Sequence, residues 1–142
     1  MPSPRIYTVK EAEATLPLVR EIVTDLLATH RRWTELVARY ELLTGPLKAE
    51  EGEPLELIEL RDRAARDAER INTCLIELEG LGGVFKGFEL GLVDFYALKD
   101  DRLILLCWKQ GEEHITHWHE VDAGFAGRQP IELAMLTETV IG

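Results

Sequence analysis

The feature that most constrains this chain is a change of period near residue 80. Before it, apolar side chains repeat at helical spacing; after it, they repeat at strand spacing. Leu16, Val19, Val23, Leu26, His30, Trp33, Val37 and Tyr40 step by alternating threes and fours, which predicts a coiled-coil-type seam along one long helix. Thr8 and Glu11 have the spacing of a capping box that starts it, and Pro17 lies early, where a missing amide donor costs least. Gly45-Pro46 ends this helix, and an acidic loop to Pro54 turns the chain. A second helix follows on Leu57, Leu60, Ala64, Ala68, Ile71, Leu75 and Leu78, running out at Gly80-Leu81-Gly82-Gly83. The short loop makes the pair antiparallel, with Trp33 opposite Ala64 and Ala65 and His30 opposite Ala68.

Beyond residue 83 the sequence predicts strands over about 84–89, 91–97, 103–109 and 115–121, with turns at Asp100-Asp101 and Gln110 to Glu113. Symmetric turns would pair Asp94 with Cys107 and Cys107 with Thr116, and Tyr96 with Leu105 and Leu105 with Trp118. Val93, Trp108, Ile115, Phe95, Leu106, His117, Ala97, Ile104 and His119 then share the more apolar face. A one-residue slip in either turn would exchange the faces. The expected fold is α+β. A long helical hairpin (8–80) packs on a small antiparallel sheet of about four strands (84–131), within one domain spanning 1–142. The tail, 132–142, reads as an extra strand or an unstructured end.

Charge narrows the partners. With 26 acidic residues against 16 basic ones the net charge is −10, and the basic residues are interleaved with acids, so nucleic acid is not an expected partner. No apolar run approaches the ~20 residues of a membrane span, so no membrane association is expected. Cys74 and Cys107 form no paired framework, and the first residues carry no signal-peptide pattern. Both point to a reducing cytoplasm.

Chemistry concentrates in residues 107–128, which hold three of the four histidines, Trp108, Trp118, Cys107 and Arg128. His117 and His119 alternate on a strand, so their imidazoles project together about 6–7 Å apart at their roots. With Glu112 they make a candidate zinc or iron set; the plain alternative is a pair of packed, hydrogen-bonded imidazoles. Asp94 lies within an apolar strand and needs a partner or a wet cleft. Beside Cys107 and Thr116 it suggests a thiol nucleophile, but the expected register supplies no histidine base, which favours a hydrogen-bonded structural aspartate. Gly124 to Arg128 offers glycine amides and a guanidinium to an anion, or a turn whose Arg128 pairs with a nearby carboxylate. Glu112 and Glu113 are ligands or solvated turn residues. Trp108 and Trp118 flank a flat ligand or belong to core and dimer contacts. His30 reads as a core imidazole bonded to a carboxylate or carbonyl rather than as a ligand.

Several runs together resemble a known family. They are Tyr7-Thr8, Glu11-Ala12, Leu16-Pro17, Gly91 through Phe95, Leu106-Cys107-Trp108, Gly111-Glu112, Trp118-His119-Glu120 and Gly124 through Pro130. The chain is similar, over nearly its whole length to about Ile131, to the small prokaryotic proteins grouped as domain of unknown function 2203. The resemblance implies a bacterial or archaeal source and no particular chemistry. It also implies that Asp94, Cys107, Trp108, Gly111, Glu112, Trp118, His119 and Arg128 belong to the shared pattern, whereas His114 and His117 do not.

The leading functional expectation is a binding or interaction module, homodimeric, holding a small anionic ligand or a protein partner through Arg128, Glu112, His119, Trp108 and Asp94. The rival is a metal-dependent, hydrolase-like enzyme on His117, His119 and Glu112. A third reading makes the helical hairpin a coiled-coil-type adaptor.

Overall fold

The structure, a computed structural model, describes residues 5–45 and 52–136. Helix α1 spans Val9–Thr44 and α2 spans Leu55–Gly80. Five strands follow, β1 (Val84–Phe85), β2 (Leu92–Lys99), β3 (Arg102–Lys109), β4 (His117–Glu120) and β5 (Gln129–Pro130), forming one antiparallel sheet in sequence order. The expected α+β architecture holds, with one more strand than expected. Among the described residues no helix is long and apolar enough to cross a membrane.

Local chemistry explains the helix ends. Thr8 accepts from the Glu11 amide while the Glu11 carboxylate accepts from the Thr8 amide, so the capping box is complete. At the end of α2, Gly83 N–H donates to the Leu78 carbonyl and Gly82 N–H to that of Glu79, a Schellman closure. Gly82 must be glycine twice over: its φ is +88°, and the Tyr7 ring sits where a Cβ would go. The hairpin tip, residues 46–51, lies outside the described residues.

The buried stripe of α1 departs from the expected seam after Leu26. Thr29 and Leu36 are buried, whereas His30, Trp33, Val37 and Tyr40 are half-buried. A 36-residue helix is about 54 Å long and an eight-residue strand only about 27 Å. The far part of α1 is therefore covered mainly by α2, and its buried edge shifts to Thr29 and Leu36, flanked by Asp25 and Arg32. Arg32 accordingly pairs with Asp67 of α2 at 3.0 Å, and Leu36 packs with Leu57 and Leu60. Ala68, expected opposite His30, is exposed. His30 instead stacks on Phe88, with ring centroids 3.7 Å apart, rather than bonding a carboxylate or carbonyl in the seam.

In the sheet, Asp100 and Asp101 both have positive φ, the signature of a tight hairpin turn. Asp94 pairs with Cys107 and Tyr96 with Leu105, as expected. The next hairpin departs from expectation. Cys107 pairs with His117 rather than Thr116, and Leu105 with His119 rather than Trp118. Trp118 therefore joins the core with Val93, Phe95, Ile104, Leu106 and Trp108, while His117 and His119 turn to the opposite face, that of Asp94.

Two forces set this register. Burying an indole removes on the order of 200 Å² of mostly apolar surface from water, whereas two imidazoles in its place would bury ring nitrogens that need partners. The connection is also longer than a symmetric turn. Glu112 folds back onto the Lys109 amide, and Glu13 of α1 accepts from the Ile115 amide, so Ile115 enters the core from the loop rather than from the strand. The first strand is likewise shorter than expected, ending at Phe85. The described part of the tail is a 3₁₀ turn, Leu133–Leu136, that seats Met135 in the core; it is neither a strand nor unstructured, and residues 137–142 lie outside the described residues.

Candidate functional site

The helices cover one face of the sheet, and the register places Asp94, Cys107 and His119 on the other, on three adjacent strands. All three are buried, Asp94 at 2% exposure and His119 at 3%. The buried charge is covered by chain leaving the sheet. After β4, Gly124 (φ +66°) carries the chain into a 3₁₀ turn, Phe125–Gly127, that folds back over this face. Lys86 approaches from beyond β1. Between them lies a cavity of about 330 Å³, floored by Asp94, Cys107 and His119 and walled by Leu92, Leu105, Val121 and Phe125.

The floor has a defined proton pattern. His119 Nδ1 lies 2.7 Å from the Glu120 carbonyl, which can only accept, so Nδ1 carries a proton. Nε2 then faces Asp94 Oδ2 at 3.0 Å with one proton shared between them. Burial pushes the Asp94 carboxyl above its ordinary range, opposed by His119, by the Cys107 thiol and by Lys86. Apart from the weak thiol donor beside it, Asp94 Oδ1 is buried with no hydrogen-bond partner. The Cys107 thiol is itself pushed up to about 12, by burial first and then by the Asp94 charge, against the pull of Arg128.

These facts bear on the thiol-nucleophile reading. A histidine does lie beside Cys107, which the expected register denied. Its Nε2 is nevertheless engaged by Asp94 and its Nδ1 by a carbonyl, so neither nitrogen is free to take the thiol proton. A thiol at about 12 is also not a thiolate near neutral pH. The arrangement suits ligand or cation binding better than covalent catalysis.

The other anticipated site residues are placed elsewhere. Arg128 donates to both oxygens of Glu112, at 2.8 and 3.0 Å, and to the Cys107 carbonyl, and its guanidinium lies 5.0 Å from the Phe125 ring centre. Trp108 is in the core and donates through Nε1 to the Glu112 carbonyl. Glu112, Arg128 and Trp108 thus form a bracket that ties the covering loop to the β3–β4 turn, the plain alternative raised for Arg128. The set His117, His119 and Glu112 is not assembled. His117 bonds Thr116, Glu112 is held by Arg128, and His119 meets Asp94 and Cys107 instead. His114 pairs with Glu13. The expected register hid Cys107 and His119 as neighbours; Lys86 and Phe125 have no local signal that marks them as cavity residues.

A family model described as Uncharacterized conserved protein (DUF2203) matches residues 5–131. No curated protein and no solved structure matches the chain.

Proposed function

This chain belongs to the uncharacterized conserved protein family DUF2203, and from that premise we propose that it binds a small molecule on the outer face of its sheet. The observation that carries this reading is the cavity of about 330 Å³ whose floor is a buried, half-satisfied Asp94–His119 pair. Clefts of this size with apolar walls and a few convergent polar groups are the usual form of ligand sites, and perturbed ionisable groups concentrate there. The ligand would present a polar head to Asp94 and His119 and an apolar body to Leu105 and Phe125. It would also offer an anionic group to Lys86, which makes no ion pair among the described residues. Lys86 takes the anion-binding part first assigned to Arg128, whose charge is occupied by Glu112.

A thermal-shift screen of small carboxylates and phosphorylated metabolites tests this. At least one compound should raise the melting temperature of the wild type, with the shift lost in Asp94→Asn and reduced in Lys86→Ala and Phe125→Ala. A screen without hits, or a hit indifferent to all three substitutions, would remove the reading. We further place the protein in a bacterial cytoplasm, supported by its two free, buried cysteines. We also propose a homodimer, for which the exposed Leu18 and Ile76 supply apolar surface. The adaptor reading has less support, because the hairpin's seam is spent on the core and on its own Leu36–Leu57–Leu60 cluster.

A further inference from the structure

We propose that Asp94, Cys107 and His119 form a transition-metal site of the zinc type, with an open coordination position facing the cavity. One donor atom from each residue (a carboxylate oxygen, the thiol sulfur, an imidazole nitrogen) lies within 4.8 Å of the others, and all three residues are buried. They come from three adjacent strands, β2, β3 and β4, so the sheet itself holds their spacing.

Three features beyond proximity point to a cation. The first is the orientation of His119. Metal-bound histidines characteristically donate their other ring N–H to a carbonyl or carboxylate, which fixes the ring, and Nδ1 here faces the Glu120 carbonyl. Nε2 is thereby aimed at Asp94 and Cys107. The second is Asp94 Oδ1, a buried oxygen with no hydrogen-bond partner apart from the weak Cys107 thiol donor, itself one of the three ligands, which leaves a lone pair for a metal to use. The third is charge. A thiolate, a carboxylate and a neutral imidazole sum to −2, which a divalent ion cancels.

Binding would displace two protons to solvent, one from the Cys107 sulfur and the one shared by Asp94 and His119, while three coordinate bonds form and no electron is transferred. The cations nearby do not oppose this. Arg128 is neutralised by Glu112, and Lys86 stands at the cavity wall, where it would attract an anionic fourth ligand.

The donor types select the metal. A thiolate and an imidazole suit zinc, iron or cobalt, and do not suit magnesium or calcium, which take oxygen. Three protein ligands with the fourth position open is the pattern of reactive rather than purely structural zinc sites, and the cavity lies on the open side. The inference uses the floor of the pocket proposed above but does not require that pocket's small-molecule ligand.

Untagged full-length protein, stripped with chelator, would be titrated with cobalt(II) and then with zinc(II). The expected result is saturation at one equivalent, with visible bands of four-coordinate cobalt and a near-ultraviolet thiolate-to-cobalt band, both erased by zinc. Cys107→Ser, close in shape to the wild type, should abolish the thiolate band. Cys74→Ser, which removes the other of the two thiols, should keep it. His117→Ala should keep it as well, and His119→Ala should lose saturable binding. Circular dichroism of each variant separates loss of metal from loss of fold, and Cys107→Ser decides between the outcomes if His119→Ala does not fold. No thiolate band in the wild type, a band surviving Cys107→Ser, or a band lost in His117→Ala would overturn the site. A cobalt band without any metabolite-induced thermal shift removes only the small-molecule reading; a shift without a band removes only the metal.

Discussion

Two aspartates in this molecule keep nearly the same company and are driven in opposite directions. On the helical hairpin, Asp25 faces the Arg70 guanidinium, the Thr29 hydroxyl at 3.2 Å and the Cys74 thiol at 3.8 Å. In the sheet, Asp94 faces His119 and the Cys107 thiol. Hydrogen bonding from Arg70 holds Asp25 below the ordinary carboxylate value, whereas burial pushes Asp94 above it. Exposure decides the difference. The Asp25 side chain is 38% exposed and that of Asp94 is 2%. Water and a permanent cation complete the first carboxylate, while the second is left with an oxygen that meets nothing stronger than the Cys107 thiol among the described residues. Both clusters border a cavity; the one whose carboxylate is completed by an arginine ties two helices together, and the one left short of a strong donor is where binding is expected.

The largest test attacks the register that creates the open cluster. Trp118→Ala removes the side chain that keeps His119 turned toward Asp94, and it should cost about 3–5 kcal/mol in denaturant unfolding. It should also weaken the His119–Asp94 contact, seen as altered imidazole ring nitrogen chemical shifts by NMR; unaltered shifts would mean the strand keeps its register without the indole.

Next in size is a paired replacement on metal-stripped protein. Asp94→Leu with His119→Leu should leave stability unchanged or raise it by about 1–4 kcal/mol, since a buried, half-satisfied polar pair is exchanged for apolar packing. Asp25→Leu with Arg70→Leu, at a half-exposed pair, should leave the denaturation midpoint nearly where it was. If the sheet pair proves strongly stabilising, the contrast between the clusters fails.

The smallest effect is a difference of sign with pH, again in stripped protein. Asp94 has a folded pKa above its unfolded value. Its stabilising contribution is therefore present below the ordinary 3.8 and lost as pH rises through the folded value. Asp25 is the reverse: its contribution is present above 3.8 and lost as pH falls through its lowered folded value, with solvent exposure keeping it small. Asp94→Asn should accordingly be more stable than wild type near neutral pH, with the gap closing on acidification. Asp25→Asn should be less stable near neutral pH, with its deficit closing on acidification. Curves of the same sign would show that burial does not separate the two sites.

Where structure follows from neighbouring residues, it was legible in the sequence. Thr8 and Glu11 specify the start of α1, Asp100-Asp101 specify a two-residue turn, and from that turn the pairing of Asp94 with Cys107 follows by counting. The family resemblance counted Asp94, Cys107 and His119 among the eight residues of its shared pattern without setting them apart as a group, and the family itself holds over residues 5–131. What failed was whatever depended on distant chain. The connection from Gln110 to Thr116 is set partly by Glu13 of α1, about a hundred residues away, gripping the Ile115 amide. The shift of one residue that follows moves His119 from the core face to the side of Asp94.

The sequence by itself determined the two helices, the antiparallel hairpins, the first register and the family, because capping, turn chemistry and periodicity are read over a few residues. Only the tertiary structure decided which face carries the histidines, which carboxylates are closed by arginines and which is left open over a cavity. Side-chain alternation has a period of two, so a single residue added to a loop by a remote contact reverses every side chain that follows.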